Sequence, residues 1–311
     1  MLVETEFIIS AGEQPKRLDR FLVHREPNLS RAAIQRLIAT GRVRMNGAPA
    51  RPARLVRPGD SISIDSPPAV PLSRNGKPMA LAVLYEDEAC LVVDKPAGVV
   101  VHPGPGHWSD TLMNALLDYW AGKSGAGRPG IIHRLDKETS GALLVSKTAE
   151  AHRRLANQIE CRTVERMYHA FVQGLPAQPE GRIDLPLGQD RTDLRRTSSD
   201  ADHVKPAITD YHVIEAFGTR AAHLLLRPHT GRTHQIRAHL QALGHPILGD
   251  RVYGDGTAKV GEAAVAERVM LHAASIRFTH PINGEPCTVV APLPDDFEIL
   301  RQALRSSNEG R

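Results

Sequence analysis

The sequence predicts an α+β protein in two parts, a small basic N-terminal domain and a larger domain on a mostly antiparallel mixed sheet. Three observations carry this expectation. Short apolar strand candidates and helix candidates share residues 80 to about 298 without strict alternation, which argues against a doubly wound parallel sheet. The stretch SPPAVPLSRNGKPM, residues 66–79, is rich in Pro, Ser and Gly and has the composition of a linker. The charge is also unevenly placed. Residues 15–64 carry eleven Lys/Arg against three Asp/Glu, so with +4 on the whole chain the remainder is left at −4. A basic surplus confined to one segment is the footprint of a polyanion-binding module.

Within that segment, RLDRFLVHR (17–25) reads as a helix stopped by Pro27 and Asn28. Ser30 is a suitable N-cap for a second helix that runs to Gly41, with Ile34, Leu37 and Ile38 on one face and Arg31, Gln35 and Arg42 off it. Asn46-Gly47 is a hairpin signal, and VRPGDSISI supplies a closing strand. The unit, residues 15–65, resembles the alpha-L RNA-binding module. That resemblance implies RNA contacts from Arg17, Arg20, Arg31, Arg36, Arg42 and Arg44.

In the larger part, residues 80–300, the strand candidates are CLVVDK, GVVVH, ALLVSK, YHAFVQG, AITDYHVIEAF and AHLLLRP. The helix candidates are DTLMNALLDYW, EAHRRLANQIE and THQIRAHLQAL. In the last, Ile236, Leu240 and Leu243 form an apolar stripe, while His234, Arg237 and Gln241 share another face. Its N-terminus, following the Thr230-Gly231 turn, can attract an anion. Residues 301–311 are expected to form a disordered tail.

Composition excludes several classes. No stretch approaches the roughly 18 apolar residues of a membrane span, and the N-terminus lacks a signal-peptide pattern, so a cytoplasmic protein is expected. Cys90, Cys161 and Cys287 are odd in number and widely spaced, which suits small buried residues better than a disulfide framework. Histidines number 15 but show neither HExxH nor paired cysteines, and no metal is expected. There is no Walker loop and no GxGxxG after a strand, so no cofactor is expected either.

The chemistry concentrates in GIIHRLDKETSGALLVSKT, residues 130–148, where two apolar strands flank a polar loop bearing Asp136 among Arg134, Lys137 and Glu138. Neighbouring cations favour the ionised carboxylate, which can act as base, nucleophile or cation stabiliser. HRLDKETSG resembles the signature loop of the RluA-type family of pseudouridine synthases. DKPAGVVVHPG (94–104), ERMYHAFVQG, TGRTHQIRAHLQALGHPILGDRVYG (230–254) and LHA (271–273) resemble further family segments in the family's order. DKPAGVVVHPG and GDRVYG are closer to RluD-type members, which modify large-subunit ribosomal RNA. Departures are small: Ala142 stands for a larger aliphatic, Ser146 for alanine and Arg166 for a frequent lysine.

The resemblance implies a pseudouridine synthase catalytic domain and assigns roles. Asp136 is the catalytic aspartate, Tyr168 stacks on the target base, Arg237 holds Asp136, Arg134 fills the vacated base position and Leu271 floors the pocket. His133, Thr139 and His234 complete the expected substrate contacts. The implied partner is large-subunit ribosomal RNA or an assembling subunit, with the protein a monomer. Three alternatives stand beside this reading: transfer RNA as substrate, a non-catalytic ribosome-assembly factor, and a glycosidase. The last would want two carboxylates flanking the bond and leaves the basic module without a purpose.

Overall fold

In the computed structural model the chain divides into two compact units, residues 1–73 and 74–311, each described here by itself. The structure describes residues 3–10, 15–26, 31–66, 79–104, 106–121, 130–193, 195–254, 259–260 and 264–309. Most of the expected linker falls outside them.

The N-terminal unit has β1 (Val3–Ile8), α1 (Leu18–Arg25), α2 (Arg31–Ala39), β2 (Val43–Met45), β3 (Ala48–Pro49) and β4 (Ser61–Ser66). Its sheet runs β1-β4-β2-β3. Asn46 and Gly47 both have positive φ, 54° and 77°, which a two-residue turn matched to strand twist requires. Ile34, Leu37 and Ile38 pack with Leu18, Phe21 and Leu22 from α1 and with Val43, Met45, Ile62 and Ile64 from the sheet. The periodicity thus carries through to the core of this unit.

The larger unit contains β5 (Ala82–Glu86), β6 (Cys90–Lys95), α3 (Leu112–Ala121), β7 (Ser140–Ser146), α4 (Ala149–Glu160) and β8 (Glu165–Gln173). It continues through β9 (Glu180–Asp184), β10 (Ile208–Phe217), β11 (Ala221–Pro228), α5 (Gln235–Ala242), β12 (Leu271–Thr279), β13 (Pro286–Val290) and α6 (Asp295–Glu309). The main path of the sheet runs β9-β10-β11-β8-β12-β7-β6-β5, with β13 added against β12. Central strands are apolar on both faces. In β6, Leu91 and Val93 enter one core with Leu143 and Val145 of β7 and Phe297 of α6. Cys90 and Val92 enter another with Ala142, Leu144 and Leu155 of α4. Helices covering both sides make continuous apolar runs necessary.

One pairing is parallel, β7 with β12, through Ser140↔His272 and Gly141↔Ala273. It joins the end of the polar loop 133–139 to Leu271. Gly141 has φ 111°, and a Cβ there would collide with the Ala273 carbonyl. Only glycine permits this approach.

Four expectations need correction. Residues 301–309 of the expected tail are helical rather than disordered, and 310–311 lie outside the described residues: α6 extends to Glu309 because Phe297, Leu300 and Leu304 recur at helical spacing and bury, while Arg301 and Arg305 both pair with Glu215. GVVVH is a loop, since Lys95 Nζ draws the Pro96 and Val99 carbonyls around itself. Helix α5 is not two-faced: Gln235 to Leu240 are all buried, with polar members satisfied internally. His239, for instance, pairs with Thr209 Oγ1 and the Leu185 carbonyl. Of the cysteines only Cys90 is buried; Cys161 is exposed and Cys287 intermediate. Among the described residues no helix is long and apolar enough to cross a membrane.

His223 and His272 lie in the core, the first stacked on Phe171 and the second edge-on to Phe297. Burial above all pushes both down to about 4, with His169 adding to the shift.

Two predictions follow from this core. Gly141→Ala should cost at least about 2 kcal/mol in urea unfolding, because it adds a left-handed penalty to a backbone collision. The buried histidines titrate near 6.5 when unfolded, so below that pH the unfolded chain takes up protons that the folded chain refuses. Stability should therefore fall as pH drops from about 6.5 toward 4, on the order of 2 kcal/mol per residue by pH 4.5. A urea midpoint unchanged between pH 7.5 and 4.5 would show that these rings are not held neutral.

Candidate active site

A cavity of about 480 Å³ opens in the larger unit beside the loop between Ile131 and Ser140. Asp136, Arg134 and Thr139 line it from that loop, Tyr168 from β8, His234 and Arg237 from the start of α5, and Leu271 from the first residue of β12. Residues up to 137 positions apart in sequence thus meet because three sheet neighbours and one helix end converge.

The loop is pinned from below. Lys95, fully buried, donates to the carbonyls of Pro96, Val99 and Lys137 at 2.8, 2.8 and 3.1 Å. Burial lowers its pKa to about 8, opposed by the charges of Glu138 and Asp136. Three carbonyls around three ammonium protons suit the charged form at neutral pH. Thr139 N donates to the Asp136 carbonyl, closing a turn. Arg268 donates to the Glu138 carbonyl while its other nitrogens grip Asp296 of α6. The C-terminal helix therefore bears on the loop.

Arg237 Nη1 stands 3.6 Å from Asp136 Oδ2, an ion pair without a close hydrogen bond. The short bonds of this guanidinium go elsewhere: Nε to Asp250 Oδ2 at 2.7 Å and Nη2 to Oδ1 at 2.9 Å. Asp250 is itself buried and accepts from the amides of Val252 and Tyr253. Burial would raise its pKa, but the hydrogen bond and charge of Arg237 and the two amides outweigh it and hold the carboxyl below its usual value. Tyr253 lies under the Arg237 guanidinium, 5.0 Å from ring centre to Cζ. Its hydroxyl meets His234 Nδ1 at 3.2 Å and the Thr197 backbone. His234 holds a left-handed backbone, φ 54°, and its Nε2 sits 3.9 Å from Asp136 Oδ2. Burial depresses the His234 pKa against the opposing charge of Asp136, so the ring tends toward neutral.

Tyr168 is 6% exposed, and burial raises its hydroxyl pKa, with the charge of Asp136 adding to the rise. Leu271 is buried at the pocket wall. Arg134 is exposed at the mouth. His133 is committed to structure: its Nε2 accepts the Leu144 amide, and burial with the nearby Arg166 charge pushes it to about 3. Thr139 is nearly inaccessible, at 2% exposure. Both belong to the frame of the loop more than to its open face.

Of the arginines expected to meet RNA, Arg20, Arg36, Arg42 and Arg44 are exposed on the N-terminal unit. Arg17 is tied in a fork to Asp19. The Arg31 side chain lies outside the described residues.

Sequence reasoning missed Lys95, Asp250 and Tyr253 as parts of the site. The available signals were the Lys-Pro-Ala-Gly run and the Gly-Asp-Arg-Val-Tyr-Gly run, both of which stood inside segments already singled out.

The family model for RNA pseudouridylate synthase matches residues 89–242, and that for the S4 domain matches residues 16–62. An RNA pseudouridine synthase of Bacillus subtilis is 40% identical over 304 residues, covering 96% of this chain and 98% of that protein. The ribosomal large subunit pseudouridine synthase D of Nitrosomonas europaea is 41% identical, covering 93% of this chain and 85% of its own length. Among solved structures, human RNA pseudouridylate synthase domain containing 1 matches with a TM-score of 0.57 at 29% identity, covering 74% of this chain and 98% of that one.

Asp250→Asn keeps the shape of the Arg237 partner and removes its charge. Breaking a buried pair from one side costs about 3 kcal/mol or more. The variant should unfold at lower urea, and Arg237 should turn further toward Asp136, which a crystal structure of the variant would reveal as a distance shorter than 3.6 Å.

Proposed function

The chain belongs to the RNA pseudouridine synthase family, and from that premise we propose that it converts uridines of large-subunit ribosomal RNA through a pocket centred on Asp136. It is an isomerase acting on RNA, with an S4 RNA-binding domain in front. The ribosomal target is supported by relatives from Zymomonas mobilis and Nitrosomonas europaea, both named ribosomal large subunit pseudouridine synthase D. Cytoplasmic action fits such a substrate.

The observation that carries the chemical reading is the meeting of Asp136, Tyr168, Arg237 and Leu271 around one cavity. A stacked uridine cannot reach a carboxylate walled in this way, so the nucleotide must swing out of its helix. Tyr168 and Leu271 then offer the base an aromatic face and an apolar wall, stacking being worth roughly 1–3 kcal/mol. Asp136 faces the sugar. As the bond from N1 to C1′ breaks, its negative charge meets the positive character developing at C1′, whether it acts by attack, by proton removal or by electrostatics. The uracil turns in place, C5 bonds to C1′, the C5 proton leaves and N1 gains one. Arg237, fixed by Asp250, sets where the carboxylate stands. Arg134 at the mouth occupies the position the base leaves.

Pseudouridine mapping of ribosomal and transfer RNA from cells carrying wild-type protein, no protein or Asp136→Asn should show large-subunit sites present only with the wild type. Sites confined to transfer RNA would move the target; maps identical in all three would defeat the reading. In vitro, Tyr168→Phe should retain stacking, whereas Tyr168→Ala should lose about 10- to 100-fold in kcat/KM.

A further inference from the structure

The turn from α4 into β8 ends its helix in an unexpected way. Arg162 N donates to the Ile159 carbonyl and Thr163 N to the Gln158 carbonyl. These are the two bonds of a Schellman cap, whose left-handed position ordinarily belongs to glycine. Here it is Arg162, at φ 60°, a conformation that costs any residue with a Cβ. Nothing local repays the strain: among the described residues the Arg162 side chain has no hydrogen-bond or ion-pair partner. Arg162 does line the cavity.

Arg166 and Arg232 line the same cavity. Arg166 donates Nη2 to the Thr230 carbonyl at 3.1 Å, while its Nε is buried without a partner. The Arg166 guanidinium lies against the loop at Gly231. Arg232 extends from that loop, held by Nε to the Pro206 carbonyl. Against these cations the cavity lining offers two carboxylates, Asp136, already beside Arg237, and Glu160.

We propose that Arg162, with Arg166 and Arg232, forms a phosphate subsite that grips an RNA phosphodiester next to the target nucleotide. The proposal rests on RNA entering this cavity. Strain retained at a cap where glycine would serve is a mark of a residue kept for what its side chain does. Three guanidiniums lining one cavity, with donors left unspent on Arg162, match the oxygens of a phosphodiester. Fixing the backbone on one side of the uridine also gives the flipped nucleotide a point about which to swing.

The test uses the full chain and a transcribed large-subunit ribosomal RNA fragment, comparing wild type, Arg162→Gly and Arg162→Lys. Arg162→Gly should melt about 2 °C higher, since the cap strain is relieved. It should bind the RNA about tenfold more weakly, and the slope of log affinity against log salt should be shallower by about one. Its loss in turnover should fall on KM more than on kcat. Arg162→Lys keeps the strain and the charge, so it should keep the wild-type slope. Unchanged affinity and slope in Arg162→Gly overturn the proposal. Equal weakening in both variants with the slope intact also overturns it, by leaving Arg162 a merely structural part. Wild-type protein that binds the fragment without modifying it would count against the target reading above, while the salt slopes still decide on the subsite.

Discussion

A buried guanidinium cannot be left alone, and much of the architecture around the cavity answers to that constraint. Arg237 is 7% exposed. A single carboxylate at 3.6 Å would not compensate its desolvation. Asp250 does so with a fork of short bonds, and the amides of Val252 and Tyr253 in turn compensate Asp250. The consequence is a division of labour. Stability is supplied by the Asp250 side, which leaves the Asp136 side long and unsaturated. A carboxylate clasped bidentately by arginine would have its lone pairs occupied. One held by charge at a distance is positioned while its oxygens keep their lone pairs.

The same economy governs the loop that carries Asp136. It has no helix or strand of its own to stiffen it, so its backbone carbonyls are collected by two long cations, Lys95 from beneath and Arg268 from the side. Gly141 then brings the following strand against Ala273, which sets Leu271 at the wall of the same cavity. Arg268 also grips Asp296, so removal of the C-terminal helix would loosen a loop distant from it in sequence. Expecting residues 301–311 to be disordered overlooked the pairing of Arg301 and Arg305 with Glu215, because RSSNEGR alone carries no apolar stripe; the stripe belongs to Phe297, Leu300 and Leu304 just before it.

That omission shows what a sequence makes legible. Local physics was readable: the Asn46-Gly47 turn, the α2 stripe and the two-faced apolar strands all follow from period and turn chemistry. The residues around the cavity were readable as a set through the family motifs. Their partners were not. Asp250 looks like any loop aspartate until Arg237, 13 positions away, is folded onto it. Gln235 and His239 look solvated on a helix wheel, yet they are interior residues whose hydrogen-bond partners lie on β10 and at Leu185, just past the end of β9. Hydrogen bonds over long sequence separations leave no periodic trace, and helices whose polar residues are buried break the rule by which polar faces are read as wet.

Charge follows a plan on two scales. The N-terminal segment carries the surplus of eight, while the remainder of the chain is net negative. A long-range field from the first can attract RNA of any sequence, and it is screened within about 8–10 Å at physiological salt. The larger unit, residues 74–311, carries 28 Lys/Arg against 28 Asp/Glu and so has no net charge, and it attracts the same polymer where the fold makes cations outnumber acids locally. The cavity is such a place, with five arginines against two carboxylates in its lining. An anionic polymer is thus favoured at the opening that leads to Asp136.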